Sequence, residues 1–142
     1  MIRISLSDAN NKDSQFHAAC KFIVEKAVTG EIKTAIAVQN IIELYAVITD
    51  KRRVEHPLSP MKAKELIEFY NGNDNIQIIA PLPKTIDTIA ALIEKYRPKS
   101  QSIFDYLLVA TIIDNGIHGI YTANSEHFKH FDSIIVVNPL TH

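Results

Sequence analysis

Short apolar runs alternate with segments of helical length along this chain, and this alternation constrains the fold more than any other feature of the sequence. The apolar runs are residues 33–38, 76–80, 117–121 and 133–137. The helix-like segments are residues 14–28, 39–50, 59–70, 84–96, 102–115 and 124–131. Strands that are apolar throughout are buried on both faces, as in a parallel sheet with helices on each side. The alternation therefore predicts an α/β fold.

Several helix ends are marked by residues that stop or start a helix. Ser59 followed by Pro60 is typical of a helix start, with a capping hydroxyl and a proline in the first turn. Gly116 closes the segment 102–115, and Arg97-Pro98 closes the segment 84–96. Ligands of such sheets bind at the carboxyl ends of the strands, and Thr122-Ala123-Asn124 directly follows one of the predicted strands.

The length and composition narrow the class of protein. The 142 residues suit a single domain, and no apolar run approaches the roughly 20 residues of a membrane span. The single cysteine, Cys20, excludes an internal disulfide and a cysteine-based zinc site, and we read no signal peptide at the N-terminus. We therefore expect a cytoplasmic protein. Its net charge of -1 means that any nucleic-acid contact needs a local basic patch.

Two acidic residues stand in unusually apolar segments. Glu43 lies in NIIELYAVI and Asp105 lies in SIFDYLLVATII. An ionised carboxylate near the core is costly unless it is paired or bound to a metal. The alternative is that both acids face water on amphipathic helices, or pair with arginine or lysine, and the pattern alone does not decide between the two.

Two such carboxylates, if they converge, would bind Mg²⁺ or Mn²⁺, which prefer oxygen ligands. A site of that kind suits phosphodiester hydrolysis, because the cation polarises the phosphoryl oxygen and activates a water molecule. The sequence has no G-x-S-x-G motif, no Walker P-loop and no Rossmann fingerprint.

In their order along the chain, these segments resemble the PIN-domain ribonucleases, especially the toxins of VapBC toxin–antitoxin systems. The resemblance rests on VQNIIELYAVITDKRR, HPLSPMKAKELIEFY, IFDYLLVATIIDNG, IYTANSEHF and IIVVNPL, and it covers nearly the whole chain from about residue 14. It implies one PIN-like domain over residues 1–142, with three α/β/α layers around a short parallel sheet. It also implies a Mg²⁺- or Mn²⁺-dependent endoribonuclease that forms a homodimer and is inhibited by a cognate antitoxin.

The resemblance also implies the site residues. Glu43 and Asp105 take the places of the second and third metal-binding acids. Asn124 takes the fourth place, where aspartate is common; it offers a carbonyl oxygen but no charge. Thr122 precedes it and is expected to contact substrate.

The basic run Lys51-Arg52-Arg53 has two interpretations. Arg52 and Arg53 could contact RNA phosphates. The alternative is a solvated helix end whose positive charge suits the macrodipole.

The N-terminus departs from the family pattern, which opens with an apolar strand ending in Asp-Thr-Asn. In one interpretation MIRISLS is this strand and Asp8 replaces the first acid, although Arg3 and Ser5 interrupt a strand that should be buried. In the favoured interpretation, IRISLSDANNKDSQ matches the end of the next helix and its loop, so the first strand and the first acid are missing. Because that strand is central, its loss would leave backbone groups of its neighbours unpaired.

The remaining candidates have plain structural interpretations. His127 stands where the family often has an acid, and we expect a surface residue before a site accessory. Tyr45 and Tyr106 are expected in the core, Ser102 as a helix cap, and Glu126 in the first turn of a helix. The missing first acid and Asn124 leave open a rival function, a catalytically inactive PIN-like module that binds RNA or a protein partner.

Overall fold

Parallel strands form the centre of the protein. The structure, a computed structural model, describes residues 2–3, 24–122 and 125–138. Within these ranges the strands are β1 (Ile2–Arg3), β2 (Thr34–Ala37), β3 (Ile76–Ile79), β4 (Gly119–Tyr121) and β5 (Ile135–Val137). The α-helices are α1 (residues 24–29), α2 (Val38–Ile48), α3 (Pro60–Asn71), α4 (Thr85–Tyr96) and α5 (Ile103–Asp114). Short 3₁₀ turns cover Ser100–Ser102 and Ser125–His127.

The sheet has the strand order β3-β2-β1-β4-β5, and all four pairings are parallel. The two-residue strand β1 is central, because Ile2 pairs with Thr34 of β2 on one side and with Gly119 of β4 on the other. The interpretation that the chain lacks its first strand is therefore wrong. A strand is held by its backbone groups, so Arg3, which pairs with Ile120, does not prevent the pairing.

Two apolar clusters cover the two faces of the sheet. One joins α1, α2 and α3 to the sheet and contains Ala27, Ile36, Leu44 and Tyr70. The other joins α4 and α5 to the opposite face and extends to Phe128, Phe131 and Ile134. The predicted α/β fold with three layers is thus confirmed.

Strand β2 shows how one short strand serves both faces. Its side chains alternate between the faces, so Ile36 enters the cluster of α1–α3 while Ala35 and Ala37 enter that of α4 and α5. The alanines leave room for α5, whose residues Val109 and Ala110 are fully buried. This packing sets the first turn of α5 beside the start of α2.

The helix ends agree only in part with the sequence predictions. The Ser59 hydroxyl accepts a hydrogen bond from the backbone N–H of Lys62 at 3.3 Å, so the predicted cap of α3 is confirmed. Ser102 does not cap α5. Its hydroxyl instead bonds back to the backbone N–H and carbonyl of Lys99, at 3.1 and 2.7 Å, because residues 99–102 form a tight turn before the helix.

The two tyrosines predicted in the core have different environments. Tyr106 is buried at 5% exposure, as predicted, whereas Tyr45 is 37% exposed. Tyr45 directly follows Leu44, which points into the core, so the helix turns the tyrosine outward. In the ranges that the structure describes, no helix is both long and apolar enough to cross a membrane.

Candidate functional site

The carboxyl edge of the sheet gathers the candidate residues. Helix α2 begins directly after β2, and Thr122 and the turn Ser125–His127 follow β4. Helix α5 leads back into β4 and therefore begins at this same edge. The strand order changes direction around β1, and open α/β sheets bind their ligands at such a switch point. Glu43, Asp105 and His127 thus come from elements that meet at one place.

Gln39 connects the helices that carry Glu43 and Asp105. Its side-chain Nε2 donates to the carbonyl of Phe104 at 3.0 Å and lies 3.4 Å from Oε1 of Glu43. Phe104 immediately precedes Asp105, so one amide group touches the Glu43 carboxylate and the backbone beside Asp105. The spacing of four residues between Gln39 and Glu43, which places both on one helix face, was the only sequence signal for this role.

Asp105 has a histidine as its neighbour. The Nδ1 atom of His127 lies 3.4 Å from Oδ2 of Asp105. Asp105 also lies in the first turn of α5, where the helix dipole favours negative charge. The side chain of His127 is 62% exposed, as expected of a surface residue, and it also contacts a candidate metal-binding acid.

Neither acid is buried in the core. Glu43 is exposed, and the side chain of Asp105 keeps 34% of its surface accessible. The interpretation that an apolar neighbourhood forces these carboxylates inward is therefore wrong for Glu43, because α2 directs Asn40, Leu44 and Val47 inward instead. Because both carboxylates are accessible at the edge of the sheet, a large polyanion can reach them.

The donor atoms suit a hydrated cation. The described residues contain no group of three or more His, Cys, Asp or Glu side chains placed to hold a metal ion. Magnesium sites commonly use one or two carboxylates, with water and substrate phosphate as the other ligands. The Oε1 atom of Gln39 is buried and has no hydrogen-bond partner within the described ranges. Glu43 and Asp105 are thus two carboxylates of the kind that such an ion binds, and the other two candidates, Asp8 and Asn124, lie outside the described residues.

The basic residues lie away from these contacts. The Arg52 guanidinium bonds both carboxylate oxygens of Asp50, at 3.1 and 3.2 Å. These hydrogen bonds hold the pKa of Asp50 below its usual value. Arg52 is 84% exposed at its side chain, and Arg53 is exposed as well. Thr122 is buried at 2% exposure, and its backbone N–H donates to the Val137 carbonyl, which fixes the end of β4.

An aromatic cluster packs against the first turn of α5. Tyr106 packs edge-to-face against Tyr96 and Phe131, and its hydroxyl lies 3.3 Å from Nε2 of His130. Burial raises the pKa of Tyr106 above its usual value, and Tyr96 and Asp105 add to this effect. The cluster holds Tyr106, the residue next to Asp105, in place. It therefore fixes the backbone that carries the Asp105 carboxylate.

The chain is similar to known proteins in sequence pattern and in fold. The family model described as the PIN domain matches residues 6–134. No curated protein sequence matches the chain. The solved structure of VapC20 of Mycobacterium tuberculosis, described as a sarcin-ricin loop cleaving toxin, is 11% identical with a TM-score of 0.67, covering 92% of this chain and 95% of that one. A toxin–antitoxin complex from Klebsiella pneumoniae is 14% identical with a TM-score of 0.62, covering 97% and 96%.

Proposed function

Because the chain belongs to the PIN domain family, we propose that it is a metal-dependent endoribonuclease of the VapC toxin type. Glu43 and Asp105 bind Mg²⁺ or Mn²⁺, and Asn124 assists them. The observation that carries this proposal is the contact of Gln39 with both Glu43 and the carbonyl of Phe104, because it joins the two acid-bearing helices at the sheet edge. The similar structures support the biological role, since one is described as a sarcin-ricin loop cleaving toxin and the other as a toxin–antitoxin complex.

The mechanism follows from what each residue can do. A bound divalent cation supplies the charge that polarises a phosphoryl oxygen and lowers the pKa of an attacking water molecule. Asp105 and Glu43 would hold the cation at the carboxyl edge of the sheet, where an RNA backbone can reach it. Gln39 keeps Glu43 at a fixed distance from α5. Arg52 and Arg53 lie on the exposed loop after α2 and contact phosphates farther along the RNA.

The proposal extends to partners and place of action. RNA is the substrate, and a cognate antitoxin protein inhibits the enzyme. Thr122 fixes the end of β4, and the RNA lies against that end. We expect a homodimer that acts in the cytoplasm.

The decisive experiment measures RNA cleavage by the purified chain with Mg²⁺ or Mn²⁺ and with a chelator. We expect cleavage to need the metal and to fall at least a hundredfold in Asp105→Asn. Asp74→Asn, an exposed acid in the turn before β3, is the matched control and should keep full activity. Cleavage that persists with the chelator and in Asp105→Asn would contradict the proposal.

A second function is favoured by one feature of the sequence, namely that the fourth place of the family's metal site holds Asn124, which brings no charge. On this alternative the chain is a catalytically inactive PIN-like module that binds RNA or a protein partner. Titration with Mn²⁺ separates the two functions, because the inactive module shows no binding that depends on Asp105.

A further inference from the structure

The contact between His127 and Asp105 brings a nitrogen donor into the candidate metal site. Nδ1 of His127 lies 3.4 Å from Oδ2 of Asp105, and both side chains are accessible from solvent. Two of the other described histidines have different neighbours: His56 lies beside Glu55, and His130 lies beside the Tyr106 hydroxyl.

The spacing of the two atoms suits two ligands of one cation. A transition-metal ion binds imidazole nitrogen and carboxylate oxygen at about 2.1 Å each. With the two atoms 3.4 Å apart, one such ion can contact both.

The chemistry of the donor pair indicates which cation it prefers. Imidazole suits transition metals, whereas Mg²⁺ is bound by carboxylates, carbonyl oxygens and water. Affinity for a site with nitrogen donors also rises from Mn²⁺ to Co²⁺. A histidine in contact with Asp105 therefore changes which cation the site prefers.

We infer that His127 is a metal ligand, and that with Asp105 it makes the site selective for a transition-metal cation over Mg²⁺. This inference rests on the proposed function, since it assumes that Asp105 binds the catalytic cation. It deepens that function by assigning the kind of cation, and it gives His127 a role beyond that of an ion-pair partner.

The local structure holds His127 in position for this role. It ends the 3₁₀ turn Ser125–His127, and the next residue, Phe128, is buried at 4% exposure in the apolar cluster beneath α5. The backbone N–H of Phe128 donates to the Ser125 carbonyl at 3.0 Å. The backbone that carries the imidazole is thus anchored, while the ring itself remains accessible.

The test measures cation binding directly, without RNA. Calorimetric titrations with Mg²⁺, Mn²⁺ and Co²⁺ give the ratio of Co²⁺ to Mg²⁺ affinity for the unmodified chain, His127→Asp, His127→Gln and Asp105→Asn. Pulsed EPR of the Mn²⁺-loaded chain reports whether a nitrogen nucleus is coupled to the ion. His56→Gln is the matched control, because His56 is exposed and also lies beside a carboxylate.

We expect nitrogen coupling in the unmodified chain and in His56→Gln, and its loss in both His127 variants. The Co²⁺-to-Mg²⁺ affinity ratio should fall tenfold or more in His127→Asp, because even outer-shell changes cost a metal site about that much affinity. Circular dichroism of each variant shows that it is folded.

The possible failures can be told apart. If binding depends on Asp105, but nitrogen coupling is absent and His127→Asp leaves the ratio unchanged, the inference is overturned while the ribonuclease proposal stands. If no cation binding depends on Asp105, both are overturned. If RNA cleavage fails although nitrogen-coupled binding is present, the inference stands and the ribonuclease proposal fails.

Discussion

At the scale of single residues, the candidate site depends on one amide side chain that the sequence did not single out. Gln39 contacts Phe104 across 65 positions of the chain. No local pattern encodes a contact of that length, whereas the apolar surroundings of Glu43 and Asp105 are visible within each segment. The sequence could thus single out both acids as candidates, but not the side chain that joins their helices.

Replacing Gln39 by methionine should weaken the site without unfolding the protein. Methionine keeps the length of the side chain but removes the donor to Glu43 and to the Phe104 carbonyl. We expect the Asp105-dependent affinity for Mn²⁺, measured by calorimetry, to fall roughly tenfold, as for other groups that orient metal ligands. Gln77→Met, an exposed glutamine on β3, is the control and should bind as the unmodified chain does. Equal affinity in the two variants would show that Gln39 does not position Glu43.

A second residue-scale network joins the start of α4 to the end of α5. The Thr85 hydroxyl accepts from the Leu82 N–H at 2.9 Å and donates to Asp114 at 2.7 Å, and Thr85 is only 1% exposed. Thr88 donates to the other carboxylate oxygen of Asp114, also at 2.7 Å. This network fixes the end of α5 that lies away from the candidate site.

Thr85→Val should therefore lower the free energy of unfolding by about 1–3 kcal/mol, because it leaves a buried N–H and a carboxylate oxygen without their partner. Urea unfolding measures this change. Thr29→Val is the control, since Thr29 is exposed and its hydroxyl bonds only carbonyls of its own helix. A loss in Thr29→Val as large as that in Thr85→Val would refute the assignment.

At the scale of elements, the sequence predicts those segments whose side chains repeat with a clear period. The helices now called α2 to α5 and the strands β2 to β5 lie within one or two residues of their predicted positions. Strand β1 was misassigned because Arg3 breaks its apolar run, and because a short strand is defined by partners far along the chain. Local patterns carry no information about such pairing.

The cap of α3 provides a test at this scale. Ser59→Ala removes the acceptor of the Lys62 N–H and should destabilise the protein by about 1 kcal/mol. Ser133→Ala, in the exposed turn before β5, is the control and should change stability by less than about 0.5 kcal/mol. Thermal and urea unfolding measure the stability of both variants. Equal unfolding midpoints in the two variants would contradict the capping role of Ser59.

At the scale of the whole molecule, the sheet is continuous only because β1 pairs on both sides. Its two residues join β2 and β3 to β4 and β5. Strand β2 leads to the helix with Glu43, and β4 leads to the turn with His127. The relative position of these two strands therefore depends on the two residues of β1.

Ile2→Pro removes a backbone N–H from this central strand and should destabilise the entire fold by about 3 kcal/mol or more. Ile2→Val, which keeps the N–H and is also β-branched, should cost less than about 1.5 kcal/mol. Hydrogen exchange of the β2 and β4 amides is the measurement, and we expect both strands to lose protection together in Ile2→Pro. Unchanged protection in that variant would rule out the central place of β1.

The order in which the strands are made differs from the order in which they lie side by side. A nascent chain that has emerged from the ribosome up to Ala80 carries Glu43 and Gln39 but none of α5, β4 or the turn with His127. Half of the proposed catalytic centre is still to be translated at that moment. On the proposed function, a growing polypeptide of this length cannot yet cleave RNA, because Asp105 is still missing from it.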